Sequence, residues 1–270
     1  MNKQQLQGKW ALITGASSGL GVDFAHDLAG RGCNLILVAR RQERLEAVAQ
    51  EVMAKHNVTA KVIAMDLGEP DAPQRLYDQV SEMGTATSTS SAQSVSVLIN
   101  NAGFGVFGEF TEIPWEREAA MLNLDIVSLV HLTKLFVKDM VAADFGYVLQ
   151  VSSIGAYQPS PLYASYSASK AFVLSFGEAI NYELRDSNVS VTVLSPGVTR
   201  TEFLDVAGQE TTFYQRMMMM ESKDVVRIGL DAMFKGKASV IPGFGNWLGA
   251  WANRLIPRRA QTALAYRLMQ

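Results

Sequence analysis

The stretch WALITGASSGLG (residues 10–21) decides the fold of this chain. Its opening WALIT is a short apolar run of strand length. TGASSGLG (14–21) overlaps its end and leads into a segment with apolar residues at helical spacing. Glycines at 15, 19 and 21 let the backbone turn sharply and approach a pyrophosphate at a helix N-terminus, where free N–H groups and the helix dipole favour an anion. Gly15, Ser17, Ser18, Gly19, Leu20 and Gly21 therefore form a candidate phosphate cradle. The spacing is G-x-x-x-G-x-G rather than G-x-G-x-x-G, and the lysine of a nucleoside-triphosphate loop is missing. A dinucleotide is the expected ligand.

The same letters also satisfy G-x-S-x-G, with Ser17 in a nucleophile position between strand and helix. A serine hydrolase reading is the weaker one. Nothing upstream of the first strand could supply a second oxyanion donor, and His26, His56 and His131 all fall in helical segments or at their ends.

The strand-then-helix pattern recurs along the chain. NLILVA (34–39), KVIAMD (61–66), VSVLIN (95–100), GYVLQVS (146–152) and VSVTVLS (189–195) read as further strands buried on both faces, with amphipathic segments such as 21–31, 43–56 and 73–83 between them. Six such units predict an α/β fold: a doubly wound, Rossmann-type parallel sheet with helices on both faces, in a single domain over 1–270. The polar stretch GTATSTSSAQS (84–94) reads as a surface loop extension.

Composition narrows the function. A net charge of -2 leaves no basic excess for nucleic acid. Cys33 is the single cysteine, the N-terminal ten residues lack the apolar core of a signal peptide, and no uncharged apolar run approaches the roughly 20 residues that span a bilayer. A cytoplasmic protein is expected.

The second strand ends LVARR, with Ala39 where an NAD site carries an acid and Arg40 and Arg41 directly after it. Arginine there suits the 2′-phosphate of NADP(H); the alternative is that both arginines merely open a solvated helix. Asp66 and Leu67, in MDL at the end of the third strand, are candidates for the adenine side, with a capping role for Asp66 as the simpler reading.

LYASYSASKAF (162–172) sets Tyr163 and Tyr166 ahead of Lys170. Tyr166 and Lys170 are four apart and share a helix face, whereas Tyr163 is two turns from the lysine. An ammonium beside a phenol favours the phenolate, so such a tyrosine can exchange a proton with an alcohol or a carbonyl.

TGASSGLG, NNAG (100–103), VSS (151–153), YSASK (166–170) and SPGVTRTEF (195–203), in this order and at these spacings, resemble the short-chain dehydrogenase/reductase family over residues 8–205. The resemblance implies Tyr166 as the proton donor, Lys170 on the nicotinamide ribose, and Ser153, thirteen residues before the tyrosine, on the substrate oxygen. Ser152 would point elsewhere. Asn101, Ala102 and Gly103 would touch the adenosine side, while Pro196, Gly197, Val198 and Thr201 would border the nicotinamide. The family's helix asparagine falls on Asp125 here; Asn123, two residues earlier, is on another face. Asp125 could support a water in the proton relay but would oppose the phenolate, and a plain helix-surface aspartate is an equal alternative. The family also implies a homodimer or homotetramer through the helices around 125–141 and 166–183.

With the tyrosine assigned, Ser167, Ala168 and Ser169 read as small residues that let a cofactor and a neighbouring helix come close, Tyr163 as packing or substrate-facing, and Tyr157 as substrate wall or loop packing. Residues 198–270 read as a substrate lid with a helical extension. The run of four methionines at 217–220 is expected on a helix, and the Phe, Trp and Arg mixture after Phe244 reads as lid, oligomer contact or peripheral membrane contact. The sum is an NADPH-dependent reductase that turns a hydrophobic ketone into a secondary alcohol and requires no metal. The competing reading is an NADP(H)-binding sensor or scaffold without turnover.

Overall fold

The computed structural model describes residues 6–85, 94–210, 216 and 218–269. Seven parallel strands form one sheet in the order β3-β2-β1-β4-β5-β6-β7: β1 (Trp10–Thr14), β2 (Asn34–Ala39), β3 (Ala60–Ala64), β4 (Val95–Asn100), β5 (Gly146–Val151), β6 (Val189–Leu194) and β7 (Ser239–Val240). Successive side chains of β1 serve opposite faces, as strand geometry requires. Ala11 and Ile13 join Phe24, Leu28, Leu45 and Leu230 on one side, while Trp10 and Leu12 join Leu76, Leu132 and Phe136 on the other.

The first side is covered by α1 (Leu20–Gly30), α2 (Gln42–His56) and α8 (Ser222–Met233). The second is covered by α3 (Ala72–Thr85), α5 (Leu129–Ala142) and α6 (Ala164–Glu183). Both layers are close-packed, so truncating a fully buried side chain such as Leu98 to Ala should cost about 2–5 kcal/mol. Strand order reverses between β1 and β4. In an open α/β sheet that reversal opens a crevice at the carboxyl ends of the strands.

Four expectations need correction. β3 lies at the sheet edge, where only Ile63 is buried, so it is not covered on both faces. The two-residue β7 was not expected, being too short to leave a periodic signal. The expected loop 84–94 begins as the last turn of α3, and its residues 86–93 lie outside the described residues. The four methionines do not share a helix: Met217 lies outside the described residues, and Met220 pairs with Thr199 in an isolated parallel bridge.

α4 (Trp115–Leu122), a π-helical turn (Asn123–Ser128) and α5 form one continuous helix, long and apolar enough by length and composition to cross a membrane. It carries charges within that length. Its inner face packs against α3, α6 and β4, as a core helix does. The π turn adds a residue to the helical repeat, which re-aims the side chains around it.

Candidate active site

A cavity of about 660 Å³ opens at the crevice and runs from the glycine loop to the N-terminal end of α6. Thr14 and Asn101 fix its floor. The Thr14 hydroxyl accepts from the backbone N–H groups of Asn101 (3.0 Å) and Ala102 (2.9 Å), and Asn101 Nδ2 donates to the Thr14 carbonyl at 2.9 Å. The first helix starts at Leu20, directly under this turn. Gly21 allows the close packing, since a Cβ there would lie 2.1 Å from the Gly15 carbonyl oxygen.

Gly15, Ser18, Gly19, Leu20, Asn101 and Ala102 line this end of the cavity, with Arg40, Arg41, Asp66 and Leu67 beyond them. Ser17 and Gly21 do not reach the cavity wall. Ser17 instead turns to Arg41, whose Nε lies 3.4 Å from its hydroxyl, and Gly21 sits behind the loop. Arg41 and Arg44 both hold Glu202, at 3.2 and 2.8 Å, and the pair keeps the Glu202 carboxyl below the usual carboxylate range. Arg40 is exposed and lies 3.8 Å from Asp66.

These residues fit a dinucleotide. The glycine turn at a helix start offers backbone N–H groups to a pyrophosphate, and two guanidinium groups stand beyond it.

At the other end, Ser153, Tyr166 and Lys170 line the same cavity with Gly103, Pro196, Gly197, Val198 and Thr201. Ser153 sits at the end of β5 and caps a short 3₁₀ turn, Ile154–Tyr157, accepting from Gly155 N–H at 3.1 Å. Lys170 Nζ lies 5.6 Å from the centre of the Tyr166 ring. Ser152 also borders the cavity, but its hydroxyl donates to the Lys170 carbonyl at 2.7 Å and so ties β5 to α6. Ser167 and Ser169 are buried in the contact of α6 with its surroundings, whereas Ala168 faces outward.

Asp125 does not reach the cavity. It is fully buried behind Lys170, with Oδ2 3.0 Å from Nζ and Oδ1 accepting from Phe104 N–H at 3.2 Å. The surface-aspartate alternative is therefore excluded, and Asn123 is the exposed member of the pair. Gly103 makes room for this arrangement: a Cβ there would meet Asp125 Oδ1 at 2.7 Å and Lys170 Nζ at 3.2 Å. Burial pushes the Asp125 carboxyl up, opposed by the ammonium and the hydrogen bonds around it. Burial also pushes the Tyr166 phenol well above its ordinary value, the Asp125 charge adds to that, and a hydrogen bond with the Ser153 side chain pulls against it.

Tyr163 serves both packing and the cavity wall. Its hydroxyl donates to Gln209 Oε1 at 2.8 Å and its ring lies 5.5 Å from that of Tyr166. Tyr157 is absent from the wall, which leaves it in loop packing. Phe203 lies 5.4 Å from the Tyr166 ring and, with Phe104, Gln209, Asn246 and Met269, lines the cavity without having been singled out from the sequence. Phe203 stood within the quoted SPGVTRTEF; Asn246 carried no motif, and only the structure shows it packed on Gly197. The Ser17 hydroxyl is met by Arg41 rather than by a histidine, and His26 stands with Glu51 and His56, so the hydrolase reading loses support.

Residues 9–212 match the family model for short chain dehydrogenases. Human 17-beta-hydroxysteroid dehydrogenase type 3 is 32% identical over 251 residues, covering 91% of this chain and 77% of that protein. The 7beta-hydroxysteroid dehydrogenase of Mediterraneibacter gnavus is 31% identical over 204 residues, 76% of this chain and 74% of that one. Among solved structures, a 7beta-hydroxysteroid dehydrogenase superposes with a TM-score of 0.84 at 26% identity, covering 98% of this chain and 99% of that one. A short-chain dehydrogenase from Sphingobium yanoikuyae in complex with NADPH gives 0.79 at 28%, covering 92% and 93%. A Burkholderia phymatum relative in complex with NAD gives 0.81 at 20%, covering 100% and 99%, a likeness of fold alone. The glycine crevice, the Ser153, Tyr166 and Lys170 wall and these matches agree: the chain belongs to the short-chain dehydrogenase family, oxidoreductases that work with a nicotinamide cofactor.

Proposed function

We propose that this protein is an NADPH-dependent reductase that converts a hydrophobic ketone to a secondary alcohol. The observation that carries the reading is the single cavity that brings Ser153, Tyr166 and Lys170 together with the glycine loop. When bound, the cofactor supplies a hydride for the carbonyl carbon. The Tyr166 hydroxyl gives its proton to the carbonyl oxygen, which the Ser153 hydroxyl holds by a hydrogen bond. Lys170 orients the ribose. Gly15, Ser18, Gly19 and Leu20 bind the pyrophosphate, with Gly21 shaping their turn and Ser17 steadying Arg41. Arg40 and Arg41 take the 2′-phosphate, a preference further supported by the NADPH-bound Sphingobium relative.

Asp125 acts through Lys170 and biases the direction. Ketone reduction needs a protonated Tyr166, whereas alcohol oxidation needs its phenolate. A buried carboxylate that neutralises the lysine and raises the tyrosine favours reduction. The same ion pair is what favours the second reading, a cofactor-binding sensor without turnover, because it ties up the ammonium that would assist a phenolate.

Phe104, Tyr163, Phe203, Leu204, Ile256 and Met269 give the substrate end an apolar lining. Together with the two hydroxysteroid dehydrogenase relatives, this supports a steroid-like ketone as substrate. Of the expected lid 198–270, the stretches that line the cavity, within 198–209 and 245–269, act as the lid, whereas α8 and β7 between them belong to the sheet and its cover in a single domain. Exposed Val127, Phe172 and Tyr182 on the helices that precede and follow β5 support a homodimer or homotetramer. NADPH oxidation followed at the nicotinamide absorbance with a panel of keto-steroids and bulky aromatic ketones tests the reading. Turnover is expected; binding of NADPH with no turnover across the panel favours the sensor.

A further inference from the structure

The C-terminal lid has its amphipathy reversed. In α9 (Phe244–Ala252), the small or polar residues Gly245, Asn246, Gly249 and Ala250 line the cavity, and the bulky apolar residues face outward. Phe244, Trp247, Leu248, Trp251 and Leu255 stand at positions i, i+3, i+4, i+7 and i+11, the spacing of one helical stripe. Phe244 is 76% exposed and Leu255 72%, and the Phe244 and Trp247 rings stack at 5.8 Å. A helix of a water-facing lid buries its large side chains; this one presents them.

Charge identifies the occupant. Residues 241–270 contain four arginines and no Asp or Glu, so with a whole-chain charge of -2 the preceding 240 residues sum to -6. Arg254, Arg258 and Arg259 are exposed beside the stripe, on and just before α10 (Arg258–Met269). A second copy docking face to face would bring these cations against one another, which is unfavourable. Tryptophan and phenylalanine flanked by arginine suit the headgroup layer of a bilayer.

We propose that the outer face of α9 and the start of α10 docks on an anionic phospholipid surface. The aromatic stripe would enter the headgroup layer and the arginines meet the phosphates. The lid whose inner side walls the cavity would then lie against the membrane. This goes beyond the reductase reading and does not rest on it.

The test is sedimentation of the full chain with vesicles of phosphatidylcholine, with and without 30–40% (about one third) phosphatidylglycerol. Binding to the anionic vesicles is expected, several-fold above pure phosphatidylcholine and reduced by salt. Trp247→Ser with Trp251→Ser should abolish it, and Arg258→Gln with Arg259→Gln, which alters only exposed side chains, should weaken it about tenfold. Absence of vesicle binding by folded wild type, or equal binding by the arginine variant, overturns the proposal. So does a wild-type oligomer that dissociates in the tryptophan variant while neither binds vesicles, which would make the face a contact between copies. NADPH binding measured without vesicles reports the cofactor site separately, so failure of one reading leaves the other testable.

Discussion

Asp125 Oδ2 lies 3.0 Å from Lys170 Nζ, and both side chains are withdrawn from solvent. The pair is coupled to the tyrosine that faces the cavity, because the carboxylate adds to the burial that raises Tyr166. Asp125→Asn removes that charge and keeps the shape. The phenolate then forms at lower pH, so the rising limb of alcohol oxidation should move to lower pH by about one unit, while ketone reduction at neutral pH persists. A pH profile of both directions checks the sign; an unmoved oxidation limb would separate Asp125 from Tyr166.

Asp125→Ala should behave differently. It leaves the Lys170 ammonium buried without its carboxylate, a loss of about 3–5 kcal/mol that urea unfolding would read directly. Asp125→Asn, whose amide oxygen still accepts from Phe104 N–H while its NH2 takes the place of the oxygen that met Ser169, should lose less.

Glycines 21 and 103 are held by space. A Cβ on Gly21 would lie 2.1 Å from a backbone oxygen, and one on Gly103 would lie 2.7 Å from Asp125 Oδ1. Gly21→Ala should therefore abolish NADPH binding, measured by the change in nicotinamide fluorescence. Gly103→Ala should reproduce the altered pH profile of Asp125→Asn, because the added methyl group pushes into the ion pair.

Arg41 is shared between Ser17 in the glycine loop and Glu202 ahead of the short lid helix α7 (Phe203–Ala207). Arg41→Ala should weaken NADPH binding by about 10-fold to 100-fold and leave NADH binding little changed, since only the former carries a 2′-phosphate. Glu202→Gln releases the arginine and should tighten NADPH slightly. Titrations with both cofactors distinguish the 2′-phosphate role from a solvated helix start.

Tyr163→Phe loses the hydrogen bond to Gln209 and keeps the aromatic contact with Tyr166. Turnover should persist with a stability loss of about 1 kcal/mol.

Much of this was legible from residues alone. β1, β2 and β4 follow WALIT, NLILVA and VSVLIN residue for residue, because a strand covered on both faces must be apolar throughout. The crevice could be placed from the glycine turn after β1, and Tyr166 was separated from Tyr163 by helical geometry. Three features were not legible. β7 is two residues long, Asn246 reaches Gly197 across nearly fifty residues of chain, and the Asp125–Lys170 pair depends on how a π turn aims a side chain. Each arises from tertiary contact that no local periodicity encodes. Ser17 and Gly21 show the converse: they belong to the loop pattern, yet the turn directs one to Arg41 and the other to backbone.

The central claim is that Tyr166 moves the proton in a reaction that consumes NADPH. The most direct measurement is single-turnover NADPH oxidation by wild type and Tyr166→Phe with one accepted ketone, with NADPH affinity measured on both. The account predicts unchanged affinity and a rate reduced by about 10²-fold to 10⁴-fold in the variant. Equal rates in the two proteins would contradict it.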